Sequence, residues 1–583
     1  MPVYLKFTMK KTVLIFTLVL ASLTFVWGQT PAKYWVQFKD KSGTPYSVER
    51  PEAFLSPRAL ELRMKHKISI TESDLPVSPQ YVREVLALDS TMRLFTRSKW
   101  LNGITVYCEK DSILKDILAL PFVSFAEMTI PMKEPEDEYQ EPFSYFASAP
   151  VRLSSLEDGT LPSGELDYGN TKYQIYLNNA QWLHRMGFHG ENMQLMIQDG
   201  GFLNVDTLHF FNKLRDDNRL LGAYNYVLPA DNPFRMHTHG TMVLSCIASY
   251  EPGDLIGTAP MVQVFLCQTE DGRSENKVEE DNWVAGLELA DSLGCQVVNS
   301  SLGYTKFDDT TSLPKRVYAD LNGEVSRASR AATIAASKGM IICNSAGNEG
   351  DSEWKYIGCP ADSRDILTSG AVDIYGKKAS FSSFGPTADG RVKPDACTVG
   401  YETYLANVRG KSIRSFGTSF SSPVLAGMVT CLWQAFPDKS NYEVMDAVRQ
   451  SGSQFSKPDS ALGYGIPDFL KAYNILKQPQ PKSFTIKCDS YELDGQGTVS
   501  FLISSPDATF VVKGEKGGVQ PKVIKYHYTE NGVETDMVKY VLQFSKADKK
   551  KLYELYELEI NCQNETLHYT IGREKKDLPP LNF

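Results

Sequence analysis

The hydrophobic positions of this chain change their rhythm three times between its ends. Residues 33–39 (KYWVQFK) predict a strand and residues 59–65 part of a helix. Residues 104–108 (ITVYC), 112–120 (SILKDILAL) and 123–128 (VSFAEM) then predict strand, helix and strand, a small α+β unit. From 133 to 167 periodicity fades into Glu, Pro, Ser and Gly, the composition of an exposed, protease-sensitive linker. Between 168 and about 476 short apolar strands alternate with helices, at 194–198, 241–248, 262–267, 296–299 and 340–344. That alternation predicts an α/β region whose parallel sheet is covered on both faces. Residues 478–482 (QPQPK) read as a stiff spacer. Beyond it the runs 498–503, 509–512, 523–528, 539–544 and 567–571, separated by turn signals, predict a β-sandwich.

Length and composition set the frame for this pattern. A chain of 583 residues with 42% hydrophobic positions has room for two to four domains, and three are expected. The divisions are 1–28, 29–132, 133–167, 168–477, 478–483 and 484–583: a leader, an α+β domain, a linker, the parallel-sheet domain, a second linker and the sandwich. The leader is inferred from Lys6, Lys10 and Lys11, the apolar run 12–27 and small Gly28, the order of a secretory signal. A cleavage after Gly28 suits it, a start at Met9 would serve as well, and an uncleaved anchor is the alternative. With the signal removed no membrane span is expected. A net charge of −9 and the absence of a basic stripe exclude nucleic acid as the main partner. The ten cysteines lack paired CxxC spacing, so no zinc site is expected. Cys488 and Cys562 fall in strand-like runs of one small region, which leaves a disulfide between them open.

Three segments carry candidate chemistry. Residues 194–202 (QLMIQDGGF) form an apolar strand that ends in Asp199, at the carboxyl edge where open α/β sheets keep their sites. Residues 235–248 (RMHTHGTMVLSCIA) set His239 immediately before an apolar helix, and His237 is taken as a bystander. In residues 416–428 (FGTSFSSPVLAGM), Ser419 is expected at the first turn of a helix, where free N–H groups favour an oxyanion. Pro423 must then sit close to that first turn. A carboxylate, an imidazole and a hydroxyl are the set that nucleophilic cleavage of an amide requires.

At these residues the chain resembles the subtilisin-like serine peptidase family, whose triad follows the same Asp, His, Ser order. The resemblance implies that Asp199, His239 and Ser419 form the triad and that Asn348, in 344–350 (NSAGNEG), donates to the oxyanion. It implies that Ser301, Leu302 and Gly303, in 299–303 (NSSLG), pair with an extended peptide substrate. Gly347 and Gly358 match small positions that leave room for a large apolar side chain. Gly200 and Met242 depart from the family pattern at positions that do not carry the reaction. The N-terminal unit resembles the ferredoxin-like prodomain of the family, so the chain's own N-terminus is an expected partner beside polypeptide substrates, with self-cleavage between 133 and 167. No cofactor is expected for the chemistry. Structural calcium is an unsupported option at the 250–256 loop, through Glu251 and Asp254. The resulting expectation is an exported serine endopeptidase made as a zymogen. An inactive protease-fold binding protein, and a peptide transferase or esterase using the same triad, are the alternatives.

Overall fold

The computed structural model describes residues 31–573 other than 111, 132–143, 147–150, 153–155, 157–158, 162–164, 229–230, 309–314, 479–482, 515–516, 531–532, 550 and 553–554. The leader, most of the first linker and nearly all of the spacer 478–482 therefore lie outside the described residues.

The N-terminal unit is a four-stranded antiparallel sheet. Its strands are β1 (Ala32–Phe38), β2 (Arg93–Ser98), β3 (Gly103–Cys108) and β4 (Val123–Pro131), in the order β2-β3-β1-β4. The helices α1 (Pro57–Lys65), α2 (Pro79–Leu86) and α3 (Ile113–Leu118) complete a βαββαβ path, the ferredoxin-like arrangement expected. Helix α1 starts where Ser56 accepts the Ala59 N–H and Pro57 takes the first position, which needs no donor. Strand β2 and helix α2 were not foreseen. Strand β2 keeps two exposed positions among buried ones, so its apolar signal is diluted.

The central region is an eight-stranded sheet. It comprises β5 (Ser144–Phe146), β6 (Gln194–Asp199), β7 (Leu220–Asn225), β8 (Gln263–Gln268), β9 (Val297–Ser300), β10 (Ile341–Ser345), β11 (Leu367–Val372) and β12 (Ala396–Val399). The order is β12-β11-β10-β9-β6-β8-β7-β5, parallel throughout except for β5, which runs antiparallel along β7. The expected linker thus contributes an edge strand, because backbone pairing with an open edge needs no apolar pattern of its own. Strands β6 and β8 to β12 are buried along nearly all their length, which explains their continuous apolar runs. The segment 241–248, expected as the apolar helix behind His239, is part of helix α4 (His239–Ala248). It is buried on most faces, which is why its apolar run lacks polar spacing.

Helices α5 (Val278–Leu293) and α6 (Arg327–Ser337) carry the N-terminal unit on their outer side. Glu288 accepts from Ser98 Oγ at 2.5 Å, Lys99 N at 2.7 Å and Trp100 N at 3.0 Å. Asp281 accepts the Thr105 hydroxyl at 2.8 Å, and Glu127 pairs with both Lys277 and Arg327. The buried ions Arg63–Asp291, Lys99–Asp291 and Lys338–Asp74 add charge pairs across the same contact.

The C-terminal strands form two sheets of four and five strands around one shared core, the expected sandwich. Strand 555–562, read only as a strand-like run at Cys562, alternates in burial, with Glu557 and Glu559 at outward positions. All ten cysteines are free and buried, so Cys488 and Cys562 are not joined. Among the described residues no helix is long and apolar enough to cross a membrane.

Candidate active site

Parallel strands put all their carboxyl ends on one edge, so strand order becomes residue order. Reading along β10, β9, β6 and β8, that edge presents Asn348, Ser301 to Gly303, Asp199 and Glu270. Helices α4 and α7 (Thr418–Ala435) bring their first turns to the same edge.

Asp199 is fully buried, and its carboxylate accepts the Gly200 N–H at 2.7 Å. It also faces His239 Nδ1, at 2.8 Å from Oδ1 and 2.9 Å from Oδ2. His239 is the first residue of α4, one position further into the helix than expected. Its ring packs against Phe420 of α7 with centroids 5.8 Å apart. Burial works against the imidazolium, yet the charge and hydrogen bond of Asp199 outweigh it and hold the pKa above the usual 6.5. His237 Nδ1 accepts the His239 backbone N–H at 3.3 Å, a structural job for the supposed bystander.

Ser419 is the second residue of α7, after Gly417, whose φ of 148° lies in a region that side chains avoid. Its hydroxyl lies 3.4 Å from the Ser301 carbonyl oxygen. Among the described residues no hydrogen bond joins it to His239. Pro423 is the sixth residue of α7, and lacking an N–H it leaves the Ser419 carbonyl without its helical donor. The Ser301 hydroxyl supplies one at 2.8 Å. A proline thus ties the start of α7 to the end of β9, a connection that sequence spacing does not reveal.

Asn348 follows β10. Its Oδ1 accepts both the Thr418 N–H at 2.9 Å and the Thr418 hydroxyl at 3.0 Å. The Asn348 amide nitrogen is a donor only, so with Oδ1 facing Thr418 the two Nδ2 protons are turned the other way. A Cβ placed on Gly417 would lie 3.6 Å from Ser419 N and 3.7 Å from Asn348 Nδ2. The missing side chain at Gly417 therefore leaves open a point on which two donors converge.

Gly303 is exposed, and Leu302 O accepts from Asn344 Nδ2 at 3.2 Å. Gly347, with φ 109°, approaches Ser383 and Glu349, while Gly358 is buried against Thr305. The carboxylates considered for calcium are engaged elsewhere, Glu251 with His209 at 2.9 Å and Asp254 with Asn170 at 2.7 Å. Sequence reasoning missed Phe420, Thr418 and the acidic stretch after β8. The run TEDGRSENKVEED at 269–281, directly behind a strand's carboxyl end, is the signal that could have exposed the last of these.

An imidazole oriented by a carboxylate, a hydroxyl at a helix start and two convergent donors define a serine hydrolase of the parallel α/β type. Residues 160–465 match the Subtilase family and residues 33–141 match the Peptidase S8 propeptide domain of Bacteroidota. The chain belongs to the subtilase family and is a serine-type endopeptidase with an N-terminal propeptide. It is 24% identical over 289 residues to the thermostable alkaline protease of Halalkalibacterium halodurans, covering 49% of this chain and 69% of that one. It is 27% identical over 286 residues to subtilisin E of Bacillus subtilis, covering 48% and 66%. Among solved structures, a cold-adapted subtilisin-like serine proteinase aligns with TM-score 0.36 and 19% identity, covering 48% of this chain and 88% of that chain.

Proposed function

We propose that the protein is an exported serine endopeptidase, made as a zymogen, in which Ser419 attacks the scissile carbonyl. His239 takes the hydroxyl proton and returns it to the leaving amine, while Asp199 holds the imidazole by Nδ1. Ser419 N and Asn348 Nδ2 stabilise the oxyanion, and water releases the acyl group. Substrate lies extended along Ser301, Leu302 and Gly303, with the side chain before the scissile bond directed toward Gly347 and Gly358. The observation that carries this reading is the shared approach of Ser419 N and Asn348 Nδ2 to one vacant point beside Gly417. Export rests on the charged, apolar and small-residue order of residues 1–28. Self-processing rests on the propeptide match and on the polar stretch 133–167 that follows it. The proposed divisions of the chain are those given above, with 168–477 as the catalytic domain.

The test is a fluorophosphonate probe on the purified protein. Labelling should occur in the parent and vanish in Ser419→Ala, and the parent alone should be shortened by cleavage within 133–167. An unlabelled parent with the same mass as Ser419→Ala would refute both parts.

A further inference from the structure

The seam between the propeptide and the catalytic region holds a cavity of about 540 Å³. Strands β1 and β4 form one wall, through Trp35, Gln37 and Glu127, and helices α5 and α6 with the loop before α6 form the other. Five cations line it, Lys277, Lys315, Arg316, Arg327 and Arg330, against four carboxylates, Glu127, Glu280, Asp320 and Glu324. Every carboxylate is engaged. Glu127 pairs with Lys277 and Arg327, and Glu280 with Arg316, the Ser326 hydroxyl at 2.7 Å and the Arg327 N–H at 2.8 Å. Asp320 accepts the Val317 N–H at 2.8 Å, and Glu324 pairs with Arg364 at 3.6 Å.

The cations are not matched in return. Among the described residues no hydrogen bond or salt bridge reaches the side chain of Arg330 or Lys315. Arg330 stands one turn from Arg327 on α6, and burial, then repulsion from Arg327, lowers its pKa. Arg327 is only 4% exposed and the Arg316 side chain 5%, yet Arg327 Nη2 and Arg316 Nε, like Arg330 Nε, are enclosed without an acceptor. Aromatic rings hold two of these groups in place, Trp35 with its centroid 5.2 Å from the Arg327 guanidinium and Phe307 at 5.7 Å from that of Arg316. One enclosed N–H without an acceptor is a packing cost. Three of them, on three guanidinium groups lining one cavity, call for a ligand that brings oxygens and negative charge.

We propose that this cavity binds an oxyanion, a phosphate or a carboxylate, between Arg316, Arg327 and Arg330, and that the bound ligand fastens the propeptide to the catalytic region. A guanidinium fork offers paired N–H donors to two oxygens of one anion, and both chemistries present such a pair. The excess of positive charge disfavours a cation, and an apolar ligand would leave the same N–H groups unserved. Because β1 and β4 close one side, the complete site exists only with the propeptide docked, so ligand binding and docking reinforce each other. None of these residues belongs to the triad, so the site stands whether or not Ser419 is the nucleophile.

The experiment follows thermal unfolding of the full-length Ser419→Ala chain, in which self-cleavage cannot remove the propeptide, in phosphate, succinate or chloride at equal ionic strength. Phosphate or succinate should raise the melting temperature by about 2 °C or more over chloride, and the salt that does so names the chemistry. In chloride, adding Arg330→Gln should not lower the melting temperature, since it breaks no pair and relieves repulsion with Arg327. With the ligand present the order should reverse. Gln37→Glu, which sets a carboxylate on the propeptide wall, should also abolish the rise. Should Arg330→Gln not fold, Lys315→Gln carries the same comparison. Equal melting in all three salts overturns the site. So does a rise that survives Arg330→Gln or its substitute, which would be the general action of the salt on the protein surface. A rise lost in Arg330→Gln but kept in Gln37→Glu overturns the link to the propeptide.

Discussion

At the scale of single residues, the site depends on orientation more than on identity. Thr418 holds Asn348 by its oxygen, so the amide protons are aimed before substrate arrives. Preorganised donors of this kind act on charge that develops only in the transition state. Asn348→Ala should therefore lower kcat by about 10²–10³ with little change in KM. A matching rise in KM with unchanged kcat would remove Asn348 from the oxyanion. His239 gives a second residue-scale expectation, with a definite sign. The Asp199 charge keeps the imidazole protonated to higher pH than the usual 6.5, and a protonated imidazole cannot act as base. Activity should fall as pH drops through a midpoint above 6.5, and a kcat/KM profile whose acid limb lies below pH 6 would contradict the geometry. The strings around the candidate residues Asp199, His239 and Ser419 were legible because each couples an apolar element to its end. Phe420 behind His239, and the Ser301 hydroxyl that serves the Ser419 carbonyl, were not. They depend on contacts across 181 and 118 positions of sequence, which no local pattern encodes.

At the scale of elements, the propeptide contact is a helix surface that borrows strand ends. Ser98, at the end of β2, points its hydroxyl and the following Lys99 and Trp100 their N–H groups at Glu288 on α5, an arrangement that leaves a carboxylate only 6% exposed. Burial raises its pKa from the ordinary 4.5 to about 6, although Lys99 and three hydrogen bonds pull the other way. A carboxyl that regains its ordinary value on release binds a proton more tightly in the docked state. Its contribution to docking is thus fully present below pH 4.5 and is lost as pH rises through 6. The rise from 4.5 to about 6 corresponds to roughly 2 kcal/mol, or about 30-fold in affinity. Asp281, also raised to about 6 by burial, acts in the same direction. The dissociation constant of the cleaved propeptide, measured by inhibition between pH 4.5 and 7, should rise less steeply in Glu288→Gln than in the parent. Identical slopes would mean that Glu288 does not titrate on docking. Strands β1, β3 and β4 could be anticipated from the apolar runs, and β2 could not. The partner surface was hidden as well, since α5 and α6 carry their acidic and basic residues in buried positions that look solvent-facing in sequence.

For the whole molecule, the question is how the sandwich joins the catalytic region when the residues between them read only as a spacer. Trp182 and Leu470, both from the catalytic side, are fully buried in the core of the sandwich. Asn474 on the helix Phe469–Lys477 adds two backbone hydrogen bonds to Thr570, one given and one received, each 3.0 Å. The sandwich is thereby part of the same packed body as the sheet that carries the site. Gly572 marks the tightest point of that joint. A Cβ there would come within 2.4 Å of the Trp182 ring, a rigid group with no open side to move into. Its φ is not positive, so the demand for glycine here is one of space alone. Gly572→Ala should destabilise the protein by about 1–3 kcal/mol, seen as a lower melting temperature, and should make the segment after residue 477 more open to protease. Fluorophosphonate labelling of Ser419 below the melting temperature should persist, because strand 565–573 meets the catalytic region through Trp182 and the helix Phe469–Lys477. A variant that melts with the parent would show that Trp182 yields, and that the two regions are less tightly joined than the buried ring implies.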